Sequence, residues 1–160
     1  MSASLIPPEF TAALREIYNK LAGTEIVWVV TGSLGLAIKG IPVTPHDIDI
    51  QTDRAGVETF ARLFRAEMVD APFFWESEHT RFWFARFLIH GVEVEVMGDM
   101  QHRDEEGFWD DPPNLEANRL FIQVAEMAIP TLSLEFEEDA YRRMGRRGKA
   151  ELIGQYLRMC

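Results

Sequence analysis

The chain has 160 residues, 47% hydrophobic and 26% charged, ordinary values that exclude a disordered or collagen-like polymer. No apolar run approaches the roughly 20 residues a membrane-spanning helix needs, so no membrane partner is expected. The 26 acidic and 16 basic residues give a net charge of −10, which argues against a broad duplex-DNA surface but allows a nucleotide whose charge is met by metal ions. The length predicts one domain over 1–160, with a core over about 24–130 and a helical C-terminal segment over about 131–160. The segment MSASLIPPEF carries no basic stretch followed by an apolar one, so the expectation is a cytoplasmic chain without a signal peptide. Cys160, the one cysteine, leaves no intrachain disulfide and no zinc site built on several thiolates.

In chain order, the Pro7-Pro8 pair suits a helix start, and Phe10, Leu14, Ile17 and Leu21 recur at helical spacing before Gly23. Residues 26–31 read as a buried strand, 33–39 as a short helix ending at Gly40, and 41–46 as a loop with two prolines. Residues 47–52 alternate polar and apolar as a half-buried strand does, and 56–69 read as an amphipathic helix. Residues 80–89 and 92–97 read as strands joined at His90-Gly91. Residues 101–118 read as an irregular acidic loop, 121–128 as another strand, and 132–159 as two helices broken near Gly145 and Gly148. The expected fold is strand-centred α/β (α+β) with helices at both ends.

Three segments carry chemistry. In Val29-Val30-Thr31-Gly32-Ser33 a buried strand runs into Gly-Ser and then a helix, where backbone can approach a phosphate closely. Alone, this also fits an ordinary strand-to-helix turn. In Asp47-Ile48-Asp49-Ile50 the carboxylates share one strand face and the isoleucines the other. Adjacent carboxylates repel unless a proton or cation separates them, and hard oxygen donors favour Mg²⁺ or Mn²⁺. The solvent face of an edge strand would look the same. In Val92-Glu93-Val94-Glu95-Val96 both glutamates have the phase to bring a third carboxylate beside the aspartates.

In this order, VVTGS then DIDI then VEVEV resembles the nucleotidyltransferase superfamily of the DNA polymerase β type, over residues 26–97. The tail TLSLEFEEDAYRRMGRRGKAELI resembles the helical end of small bacterial members, among them antibiotic-modifying enzymes and toxin-like proteins. The resemblance implies a minimal fold with a mixed central sheet and a helical C-terminal tail. It implies Asp47, Asp49 and a third acid as ligands of catalytic Mg²⁺ or Mn²⁺, and an NTP giving its nucleoside monophosphate to a hydroxyl acceptor. Gly32 and Ser33 would contact the phosphates. Glu95 is favoured as the third acid because VEVMGD matches the family pattern of acid, two residues, glycine; Glu93 is the fallback. Lys149 or Arg146, from the basic cluster of the tail, would reach the triphosphate; the same cluster also fits a helix-end charge complement.

A phosphatase of the haloacid-dehalogenase type fits less well, because Gln51 stands where that family has Thr or Val. A glycosyltransferase D-x-D would sit in a longer chain. His46, His79, His90 and His102 show no metal-binding spacing, and Trp28, Trp75, Trp83 and Trp109 read as core, with base stacking by Trp75 or Trp109 the alternative. The competing function is a non-catalytic or partner-dependent nucleotide-binding protein of the same fold, such as a toxin–antitoxin component. A homodimer would close so small a site.

Overall fold

The computed structural model describes residues 6–159, and Cys160 lies outside them. Helix α1 (Pro8–Leu21) opens on proline, which needs no N–H in the first turn, and buries Phe10, Ala13, Leu14, Ile17 and Leu21. Gly23 follows it at φ +83°, the left-handed conformation of a helix stop. The chain continues through β1 (Val29–Thr31), α2 (Gly32–Ile38), β2 (Ile48–Thr52), α3 (Arg54–Leu63), β3 (Met68–Glu76), β4 (Thr80–Ile89) and β5 (Val92–His102). It ends with α4 (Leu115–Asn118), β6 (Arg119–Val124), β7 (Met127–Leu132), α5 (Leu134–Arg143) and α6 (Arg147–Met159).

The seven strands form one mixed sheet in the order β3-β4-β5-β2-β1-β7-β6. β2 runs parallel to β5 and β1 parallel to β7, while the other neighbours are antiparallel. Strand alternation sorts the residues into two faces. Val30, Ile48, Ile50, Phe87, Val94 and Val96 point to the face covered by α1 and α3, where they join Leu14, Ile17, Val57, Phe60 and Phe64 in the main core. On the other face, Val29 and Leu132 pack with Leu115 and Phe136. Beside them Leu36, Ile41, Tyr141, Ala150 and Ile153 join α2 to α5 and α6. Among the described residues, no helix is long and apolar enough to cross a membrane.

The structure departs from the sequence expectations at several places. The amphipathic helix expected over 56–69 starts earlier, because the Asp53 carboxylate caps it by accepting the Gly56 N–H at 2.7 Å, and it stops at Leu63. Residues 68–76 then form β3, an edge strand antiparallel to β4, with two breaks in register. Trp75, read as core, is half-exposed there and stacks on Phe82. The single strand expected over 121–128 is a hairpin instead. Ala125 (φ +49°) and Glu126 (φ +69°) make its two-residue turn, a positive-φ pair that sequence assigns to Asn and Gly. The second strand of the first hairpin runs on to His102, five residues past its expected end. Its turn, His90 (φ +51°) and Gly91 (φ +76°), lies where the spacing predicts.

Candidate active site

Two strands and a turn bring three acids together. With Ile48 and Ile50 in the core, Asp49 faces the side on which α5 and α6 pack. Asp47 stands immediately before the strand. The parallel register sets Asp49 opposite Glu95 and Ile48 opposite Val94. One carboxylate oxygen each from Asp47, Asp49 and Glu95 lies within 4.8 Å of the other two. Glu93 shares the face, but its carboxylate accepts a hydrogen bond from Arg86 Nη1 at 2.8 Å, and Arg86 Nε holds Asp70 at 2.7 Å. The β4–β5 register sets Arg86 opposite Glu95, but its guanidinium reaches diagonally to Glu93, so Glu93 is held in an ion pair while Glu95 joins the aspartates.

The local charge is unfavourable in the absence of a cation. Burial, followed by the negative charges of Asp47 and Glu95, pushes the Asp49 carboxyl up to about 8, and a hydrogen bond to Glu95 keeps the proton on Asp49. Burial and repulsion from Glu93 push Asp47 up, while His46 and Lys149 oppose the shift. Glu95 is also raised, by burial and by Asp47. Three converging hard oxygen donors that resist joint ionisation are the donor set a divalent cation such as Mg²⁺ or Mn²⁺ would satisfy.

Gly32 begins α2 at φ +66° directly against this cluster. A β-carbon there would lie 2.1 Å from Asp49 Oδ2, so both the conformation and the space require glycine. Ser33 Oγ accepts the His46 N–H at 3.4 Å and ties the approach to Asp47 to the helix start. Lys149, on α6, stands close enough for its charge to act on both aspartates; burial and Arg146 lower its own pKa, and Asp49 and Asp47 oppose this. Its amine sits 5.6 Å from the ring centre of buried Tyr141, and the Arg146 guanidinium sits 5.3 Å from the same ring. The sequence offered no signal for Tyr141, nor for the buried pair of Lys39 and Glu137.

A cavity of about 550 Å³ lies away from the acids, at the far ends of β4 and β5. His102, Trp109, Asp110 and Arg143 are in its wall, and Arg143 pairs with Asp110 at 3.0 Å. The Arg81 guanidinium lies 4.2 Å from the Trp109 ring centre.

A model of the aminoglycoside-2''-adenylyltransferase family matches residues 13–155. Among solved structures, the chain is similar to a candidate nucleotidyltransferase from Thermotoga maritima, TM1012, at 41% identity and a TM-score of 0.85, over 97% of this chain and 96% of that one. It also shares a fold with the lincosamide antibiotic adenylyltransferase LnuA, solved with lincomycin bound, at 14% identity and a TM-score of 0.52, over 78% of this chain and 81% of that one. No protein of curated function matches the chain significantly.

Proposed function

The chain belongs to the aminoglycoside-2''-adenylyltransferase family, and from that premise we propose that it moves a nucleoside monophosphate from an NTP to a hydroxyl acceptor with the help of Mg²⁺ or Mn²⁺. The observation that carries this reading is the convergence of Asp47, Asp49 and Glu95 beside a glycine that leaves them room. These three acids would hold the divalent cation. When bound, the cation supplies positive charge to the triphosphate and makes the acceptor hydroxyl more acidic.

The chain's own groups do the rest. Gly32 lets backbone approach the phosphates without a side chain in the way. Ser33 adds a hydroxyl at the same turn, and Lys149 supplies a fixed positive charge on the α6 side. Glu95, raised by burial and by Asp47, has the affinity to take the proton that leaves the acceptor hydroxyl. Glu93 is engaged by Arg86 and has no such role.

The assay is pyrophosphate release with each of the four NTPs, Mg²⁺ and a panel of hydroxyl acceptors that includes an aminoglycoside and a lincosamide. Glu95→Gln should lower turnover by roughly 10²-fold or more, about 2.7 kcal/mol of transition-state stabilisation, with NTP affinity within a few fold. Glu93→Gln should stay near wild type. If Glu93→Gln is the inactive variant, the third acid is misassigned. Wild-type protein that binds Mg²⁺-NTP yet releases no pyrophosphate with any acceptor is a binding protein, not a transferase.

A further inference from the structure

Lys39 follows α2, and Glu137 lies on the first turns of α5, 98 residues away in sequence. Both side chains are almost fully buried, and Lys39 Nζ donates to Glu137 Oε2 and to the Leu132 carbonyl at the end of β7. One amine thus joins the end of α2, the end of β7 and α5. As a stabilising device the arrangement is poor. Burial pushes the Lys39 pKa down and the Glu137 pKa up. Glu137 Oε1 is buried with no hydrogen-bond partner among the described residues. Buried pairs of this kind are commonly matched or exceeded in stability by apolar replacements of similar volume, so stability alone does not account for this one.

Its position suggests another role. On α5, residues i and i+4 share a face, so Glu137 and Tyr141 point the same way. The Tyr141 ring in turn carries Lys149 and Arg146 on its surface, and Lys149 acts electrostatically on Asp47 and Asp49. The opposite end of α2 is Gly32, packed on Asp49. The same short helix therefore touches the carboxylate cluster at its start, and its end is tied to the helix whose next face bears the Lys149 platform.

We propose that Lys39 and Glu137 are positioning residues: by tying α5 to α2 they fix the Tyr141 ring on which Lys149 rests, and so the place from which Lys149 meets an NTP. The inference rests on the transferase reading above for the identity of the ligand, and on the packing alone for the positioning.

The test uses the full chain and the double variant Lys39→Met with Glu137→Leu, which removes both charges and fills the space. Its thermal midpoint should equal or exceed that of wild type. Backbone amides of α6 should exchange at least tenfold faster. The dissociation constant for Mg²⁺-NTP, measured with each of the four NTPs, should rise about tenfold, with turnover at saturation within threefold. A stable double variant with unchanged α6 exchange and unchanged NTP affinity overturns the proposal. A second comparison holds if the double variant does not fold: Tyr141→Leu should reproduce the loss of NTP affinity, and Tyr141→Phe, which keeps the ring, should remain within twofold of wild type. Equal affinity in the Leu and Phe variants also overturns it. If wild type binds none of the four NTPs, the transferase reading fails, and the α6 exchange rates still decide the positioning.

Discussion

Helix α2 meets a different arrangement of ionisable groups at each end, half-buried at one and almost fully buried at the other. At its start, Gly32 packs on Asp49 within a group of three acids, and among the described residues no ion pair neutralises any of them. At its finish, Lys39 meets Glu137 in a closed pair. The pair balances its own charge, so disturbing one member exposes the cost of burying the other. The acids are incomplete without help, so disturbing one relieves a conflict. The difference distinguishes a structural use of buried charge from a site that awaits a cation, and it can be measured as stability.

The largest effect belongs to the closed pair. Glu137→Leu alone leaves a buried ammonium opposite an apolar side chain and should cost about 3 kcal/mol or more in urea denaturation. That is a large share of the stability of an ordinary domain. A loss under about 1 kcal/mol would mean that the pair is better hydrated than its burial indicates.

An effect of comparable size, accumulated over several pH units, is expected from Asp49. The folded chain holds a proton on Asp49 up to about 8, whereas the unfolded chain releases it near 3.8. Between those values the folded state binds more protons, so stability falls as pH rises, by up to about 1.4 kcal/mol per pH unit from this one group. Denaturation in chelator at pH 5 to 8 should show that slope, and saturating Mg²⁺ should flatten it. A slope that Mg²⁺ leaves intact would place the responsible group elsewhere.

The smallest stability effect comes from the open cluster. Asp49→Asn needs no proton to sit beside the other acids and keeps the shape, so stability should equal or exceed that of wild type while Mg²⁺-dependent NTP binding disappears. An Asn variant that unfolds would show Asp49 to be a structural hydrogen-bond acceptor, and the contrast between the two ends of α2 would collapse.

The parts of this arrangement differ in how far the sequence reveals them. The shared face of Asp47 and Asp49, and the phase of Glu93 and Glu95, follow from alternation within single strands. The choice between the two glutamates does not, because it depends on which way the Arg86 side chain turns: it stands opposite Glu95 in the β4–β5 pairing yet bonds Glu93. Strand β3 stays hidden for a related reason. Its second half is exposed on both faces, Pro72 interrupts it, and only pairing with β4 makes it a strand. The Ala125-Glu126 turn lacks the residues that mark such turns, so the hairpin geometry imposes the conformation. Lys39 and Glu137, 98 residues apart, meet only after the chain has folded back across the sheet, and no local pattern encodes a contact of that separation.

The fit between Gly32 and Asp49 also bears on how this sequence can change over generations. The smallest side chain, a single methyl group, would lie 2.1 Å from Asp49 Oδ2, well inside contact distance. The dependence runs one way: position 49 can change while 32 stays glycine, whereas a larger residue at 32 meets both the positive φ and the carboxylate at 49. Position 32 thereby becomes a marker for sorting relatives. Chains that keep glycine there retain room for the acid, and a chain that has filled it records in one residue that the cluster has been retired.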